Sequence, residues 1–294
     1  MQGKVYTPAV GQLDTATLDF GIVRVGDTVA ARNVVVTNAA AATALNDTLR
    51  ADLSGIGSPF SSSQSVAQIG AQASGSIAVG LATASAGVFN QTGTVSFLSQ
   101  NPDMADVSAG ANGSVQIKAQ VNNLANAAFD LDAGIGVLKQ FGDQYVYDLG
   151  NIVIGTLISE LLRLENRVLG PADDLRGLFN MQAADDFAYV GWDPFTGLAA
   201  GQALTGLQVG FTATKLGRVD DLIAFDGWGY NASDPAGLAQ SRSLLIRANV
   251  IASGEVPEPG TTALVSIACL AMWAARRARR GAVAPRRPQN GRPT

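Results

Sequence analysis

The chain carries one pattern twice, and this constrains the fold more than any local motif. Leu18, Asp19, Phe20 and Gly21, then Ile22, Val23, Arg24, Val25 and Gly26, return as Tyr147, Asp148, Leu149 and Gly150, then Asn151, Ile152, Val153, Ile154 and Gly155. Asp19, Gly21 and Gly26 fall on Asp148, Gly150 and Gly155 at a shift of 148 − 19 = 129. Residues 77–87 return at 207–217, a shift of 130, and residues 114–119 return at 243–248, a shift of 129. Isolated matches mean little in a chain so rich in Gly and Ala. A near-constant shift across three separated blocks points to two copies of one structural unit. Roughly 110–120 residues per copy is the size of a single β-sandwich. The expected units are residues 13–122 and 141–252, joined by a small, polar linker at 123–140.

Local patterning agrees. Residues 33–38, 94–97 and 115–118 favour a period of two, and Gly26, Asp27, Asn38, Gly55, Gly75 and Gly93 supply turn chemistry between them. Only 15% of the residues are charged. Gly, Ala, Ser, Thr and Val dominate, a mixture suited to short strands and tight turns. Residues 156–166 read as an amphipathic helix on propensity alone, but their counterpart in the first copy is the Val-rich strand around Val35. The repeat therefore predicts a strand there, because tertiary context overrides propensity.

The opening of the first copy, with Leu18, Asp19, Phe20, Gly21, Val25 and Gly26 before a Val-rich strand ending at Thr37 and Asn38, resembles immunoglobulin-like domains of the choice-of-anchor D and hydin kind. The second copy is similar more faintly, with Leu149 for the aromatic and Glu165-Asn166 for the Thr-Asn pair. The resemblance implies seven-stranded sandwiches.

The C-terminal segment has a different character. Val256, Pro257, Glu258, Pro259 and Gly260 precede 15 uncharged residues at 261–275, and Arg276, Arg277, Arg279 and Arg280 follow. As a helix that span would reach about 22 Å, short of a ~30 Å hydrocarbon core, although snorkelling arginines make up part of the difference. The order of Pro-Glu-Pro, apolar span and Arg cluster resembles the PEP-CTERM sorting signal of Gram-negative exported proteins. That resemblance implies an exosortase, a membrane enzyme, as processing partner. It also implies an inner-membrane precursor held by 261–275, then delivery to the cell surface or an extracellular polysaccharide matrix. Residues 281–294 are expected to form a disordered tail. Residues 1–8 lack a signal peptide's apolar core, so export predicts an in-frame upstream extension.

Charge and chemistry narrow the function. Seven of the 20 basic residues lie at or after Arg276, leaving 13 basic and 24 acidic residues before it, a formal charge of 13 − 24 = −11. Such a body repels phosphate backbones, so no nucleic-acid partner is expected. With no histidine, and the only cysteine, Cys269, inside the apolar span, histidine-based catalysis, thiol nucleophiles and most zinc or iron sites are excluded. The adjacent pairs Asp173-Asp174, Asp185-Asp186 and Asp220-Asp221 read as solvated turn residues, since neighbours on a strand point opposite ways. No calcium-loop spacing is present, so neither metal nor cofactor is expected.

The sequence thus predicts an all-β chain of two tandem immunoglobulin-like β-sandwiches followed by a single C-terminal transmembrane helix. The expected function is non-enzymatic: a surface-sorted structural or adhesive component of a biofilm or exopolysaccharide matrix. The alternative is a carbohydrate- or partner-binding module in the second unit. Trp192, Trp228 and Tyr230 are its candidate glycan contacts, with core packing the competing role for both tryptophans.

Overall fold

The computed structural model describes residues 3–182 and 186–254. The sorting-signal expectations, at Val256 to Gly260, 261–275 and Arg276 to Arg280, and the tail 281–294 lie outside the described residues.

Twenty-one strands and no helix make up the regular structure of the described residues. In the first unit one sheet runs β1 (Gly11–Leu13), β3 (Arg32–Asn38), β7 (Ser74–Leu81), β5 (Phe60–Ser62). The facing sheet runs β2 (Thr17–Arg24), β10 (Gly113–Asn122), β8 (Gly87–Asn101), β4 (Thr48–Ser54), β6 (Ser65–Ile69), with β9 (Met104–Ser108) also on β8. The N-terminal segment switches sheets: β1 pairs antiparallel with β3, and β2 pairs parallel with the last strand, β10.

The second unit repeats this order strand for strand. One sheet runs β11 (Ala127–Ala133), β14 (Leu157–Asn166), β18 (Ala203–Thr212), β16 (Phe187–Val190). The other runs β12 (Val137–Phe141), β13 (Gln144–Val153), β21 (Arg242–Ile251), β19 (Gly217–Asn231), β15 (Asp174–Met181), β17 (Phe195–Leu198), with β20 (Asp234–Ala239) on β19. Both units have the immunoglobulin-type arrangement of two packed sheets. β12 is the one strand without a counterpart in the first unit. The span 123–140, expected as a linker, contains β11 and all but the last residue of β12, and β11 begins the second sandwich as β1 begins the first. Apart from Phe129, the buried positions of β11 are the small Ala127 and Ala128, so the span carries little of the apolar alternation of a strand.

Residues 157–166 form β14, as the repeat requires, with Leu162 and Leu164 fully buried. The intervening Arg163 points outward, where Asp130, Asp132 and Glu165 surround it. Alternation at period two thus overrides helical propensity, because each inward leucine removes apolar surface worth about 1.5–3 kcal/mol from water.

The two β2-type strands share a bulge. Asp19 accepts a hydrogen bond from the Gly21 amide at 2.8 Å, and Asp148 accepts one from Gly150 at 2.9 Å. Gly21 and Gly150 have φ of 72° and 73°, and the parallel registers to β10 and β21 shift at these points. A second shared device is a buried asparagine ending the second main strand. The Asn38 amide donates to the Asp47 and Ile69 carbonyls, and that of Asn166 to the Asp173 and Leu198 carbonyls. The cores are separate: Val, Ile and Leu with Phe20 and Phe60 in the first unit, and an aromatic cluster around Phe129, Phe179, Trp192 and Phe225 in the second.

Candidate functional site

A buried polar cluster lies where the first unit meets the second. Arg24, the last residue of β2, is 7% exposed, and Asp173, immediately before β15, is 0% exposed. Arg24 Nε donates to Asp173 Oδ2 at 2.5 Å, Nη1 to Asp234 Oδ2 at 2.8 Å, and Nη2 to the Gly229 carbonyl at 3.5 Å. The other oxygen of Asp173 accepts from the amides of Asn122, at the end of β10, and Asn231, at the end of β19. Ser233, in the β19–β20 turn, accepts from the Ile22 amide at 3.0 Å.

Both charges are thus removed from water and compensated. Asp173 accepts three hydrogen bonds, two of them from first-unit residues. That is the geometry in which a buried pair offsets its own desolvation. Burial opposes the Arg24 charge, yet the Asp173 and Asp234 hydrogen bonds outweigh it and hold its pKa above the ordinary guanidinium value. The same hydrogen bond from Arg24, helped by the Gly237 amide, holds the half-exposed Asp234 carboxyl below its ordinary pKa.

The reading of Asp173 as a solvated turn residue is therefore corrected: it is the acceptor at the centre of the inter-unit joint. Asp220 and Asp221 do point opposite ways. Asp220 pairs with Arg218 at the surface, while Asp221 is buried and accepts from the Tyr189 hydroxyl. Asp185 lies outside the described residues. Another buried carboxylate, Glu160, accepts from Tyr147 Oη and from the Ile135 amide. Burial first, and these acids second, raise the Tyr147 and Tyr189 pKa values above the usual phenol range. The described residues hold no cluster of three or more His, Cys, Asp or Glu placed to hold a metal ion.

The three candidate glycan contacts separate. Trp192 is buried in the second core against Phe129 and Phe179, and its Nε1 donates to the Gln208 carbonyl at 2.9 Å. It is a packing residue. Trp228 and Tyr230 are half-buried on the outward face of β19, because Phe225, Gly227 and Gly229 occupy the inward positions. Arg176, opposite Trp228 on β15, lies over the Tyr230 ring at 4.9 Å. At the matching places in the first unit, Arg50 is opposite Leu98 and Thr48 opposite Gln100, so the aromatic pair is particular to the second.

Sequence reasoning missed the joint because Arg24 lies 149 residues from Asp173 and 210 from Asp234. The available signal was the repeat itself: Arg24 departs from the apolar Val153 at the matching place, and a lone arginine beside Val23 and Val25 needs a partner.

No protein-family model matches the chain, and no curated protein matches it by sequence. Among solved structures it is similar to a protein of unknown function from Porphyromonas gingivalis W83, at 13% identity and a TM-score of 0.30, covering 81% of this chain and 99% of that one. It is also similar to the human Desmocollin-1 ectodomain, at 9% identity and a TM-score of 0.39, covering 83% of this chain and 42% of that one. The E. coli chaperone DraB matches at 8% identity and a TM-score of 0.28, covering 80% of this chain and 98% of that one.

Proposed function

We propose that this chain is a non-enzymatic surface protein whose two sandwiches act as one rigid spacer or adhesive element. In this reading an exosortase sorts and processes it at Pro257-Glu258-Pro259, and it ends in the extracellular polysaccharide matrix of a Gram-negative bacterium. The observation that carries the mechanical part is the buried Arg24–Asp173 pair, which ties the units together at a point otherwise bridged by a short segment. A flexible tether would need no such pair, and holding a buried charge pair between domains favours one relative orientation. The sorting part rests on the sequence of the tail, where four arginines after an apolar span oppose translocation. Fractionation of cells with and without the exosortase tests it. Surface location that depends on the enzyme is expected, and unchanged cytoplasmic protein in both strains refutes it.

A second reading gives the second unit a carbohydrate-binding face. Its support is the placement of Trp228 and Tyr230 two residues apart on one outward face, about 6–7 Å along the strand, a spacing on the scale of a sugar ring. Glycan-array binding by the intact chain, lost in Trp228→Ala and Tyr230→Ala, is the expected result. Binding equal to that of both variants, or none, removes this reading.

A further inference from the structure

The second unit carries a strand that the first lacks, and that strand walls a groove. β12 extends the sheet beyond β13, in a register running from Val137 opposite Asp148 to Phe141 opposite Gln144. Alternation sends Val137, Lys139 and Phe141 to the outward face and leaves Leu138 against the core. With Ile135 just before it, β12 forms one side of a groove of about 430 Å³, and Arg247 on β21 lines it as well. That volume lies in the range of small-ligand sites. The Asp148–Gly150 bulge also lines the groove. In the first unit the matching bulge is covered, since a Cβ on Gly21 would meet Ser233 Oγ at 3.3 Å. A Cβ on Gly150 would meet nothing within 4 Å, so this bulge is open.

The groove has an apolar side and a polar one. Ile135, Val137 and Phe141 are 66%, 55% and 61% exposed, so a ring-sized apolar surface stays in water. Arg247 donates through Nε and Nη2 to Asp148 Oδ2, at 2.9 and 2.6 Å. Lys139 makes no ion pair among the described residues. Its charge only adds to the Arg247 and Gly150 hydrogen bonds, which hold the Asp148 carboxyl below its ordinary pKa. Past Arg247 the groove continues to Asn151, Asn249 and Arg218. Asn249 Nδ2 donates to Asn151 Oδ1 at 2.8 Å, which leaves an amide oxygen and an amide nitrogen side by side. An acceptor beside a donor is the complement of two neighbouring hydroxyls. Counting Asp220, which pairs with Arg218, three cations meet two acids here. The excess of 3 − 2 = 1 is positive in a body whose formal charge is −11.

The geometry points to this groove as a binding site for a sugar acid, a uronate unit of a polysaccharide. The apolar face of the sugar ring lies on Phe141 and Val137, where stacking removes both surfaces from water. The carboxylate meets Lys139, and hydroxyls of an adjoining unit reach the Asn151–Asn249 pair. An acidic peptide would satisfy Lys139 but brings no pair of neighbouring hydroxyls. The site is separate from Trp228, which lies 228 − 218 = 10 residues along β19 from Arg218, roughly 30 Å on an extended strand. The inference deepens the matrix reading above and rests on it for the source of such sugars.

Calorimetric titration of the full-length chain, kept in a non-ionic detergent, provides the test. The probes are an oligogalacturonate, its methyl ester, which keeps the ring but loses the charge, and an oligoglutamate of equal length. The oligogalacturonate should bind, more weakly as salt is added, and the ester should bind about tenfold more weakly or less. Lys139→Gln and Phe141→Ala should each weaken it about tenfold, and both positions are exposed, so the fold is kept. Trp228→Ala should leave this binding unchanged. No binding of the oligogalacturonate overturns the inference, as does equal binding of its ester or of oligoglutamate. Binding that Trp228→Ala abolishes and Lys139→Gln leaves intact also overturns it, and assigns the sugar to the aromatic face instead. Failure of surface sorting in cells would leave these titrations unaffected, so the two readings fail separately.

Discussion

Arg24 and Asp173 form an ion pair of 2.5 Å across the two sandwiches, and neither side chain has appreciable exposure. The relationship is more than a contact between neighbours. Arg24 ends the strand whose bulge is fixed by Asp19 and Gly21, and Asp173 opens the strand clamped by Asn166. Each partner is therefore positioned by the internal frame of its own unit, so the geometry of the pair depends on both frames at once.

Removing the cation should uncouple the units. Arg24→Met keeps the apolar stem but leaves Asp173 with a buried, uncompensated charge, a loss of about 3–5 kcal/mol. Calorimetry should show the second unit melting earlier than in the wild type, separated from the first. Asp173→Asn in the Arg24→Met background should recover part of the loss, because the uncompensated charge disappears. An unchanged thermogram for Arg24→Met removes the joint as a source of stability.

Acid should loosen the same joint through Asp234. An unfolded aspartate titrates near about 3.9, and Arg24 holds Asp234 lower in the folded chain. The unfolded state therefore binds the proton first as pH falls. The stabilisation is present above about pH 4 and is lost as pH drops through the depressed value. The melting difference between wild type and Asp234→Asn should be constant from about pH 7 to 5 and vanish in stronger acid. A difference that persists undiminished at about pH 2 contradicts the assignment.

Base should act on the second unit. Burial, then the acids Glu160 and Asp221, raise Tyr147 and Tyr189 above the usual phenol value near 10. Above about pH 10 the unfolded chain releases phenolic protons that the folded one keeps, so stability falls as pH rises. Tryptophan emission should report loosening around Trp192 in that range. Tyr189→Phe should flatten the alkaline slope, even though it lowers stability at neutral pH by stranding Asp221. An alkaline slope equal to the wild type's would show that Tyr189 does not carry it.

What the sequence disclosed and what it hid follow one physical division. The repeat placed β14 correctly against its own propensity, because a shift of 129 carries information about tertiary surroundings that a local window lacks. The recurrence of Asp19 and Gly21 as Asp148 and Gly150 was legible too, although the bulge that they form was not read from it. Hidden features were those in which the copies diverge. β12 has no counterpart, so nothing in the repeat announced that strand at the end of the span taken for a linker. Trp192 and Trp228 look alike as letters among Gly and Asp, and only the strand faces separate the packed ring from the outward one. Arg24 was read as part of a strand opening, because its acceptors belong to the other copy.

The twin bulges allow one comparison in which the second copy is the control for the first. An L-residue with a side chain pays about 1–2 kcal/mol in the left-handed region that Gly21 and Gly150 occupy, at φ of 72° and 73°. A Cβ on Gly150 meets no atom within 4 Å, so Gly150→Ala should lose that conformational term and nothing else. A Cβ on Gly21 lies 3.3 Å from Ser233 Oγ, the atom that accepts from the Ile22 amide across the joint. Gly21→Ala should therefore lose the same term and also push the turn bearing Ser233 and Asp234 away from Arg24. In denaturant titrations Gly21→Ala should be the more destabilising of the two. The excess should disappear in an Arg24→Met background, where the joint is already broken. Equal losses in the wild-type background would show that the first bulge, like the second, serves only its own sheet.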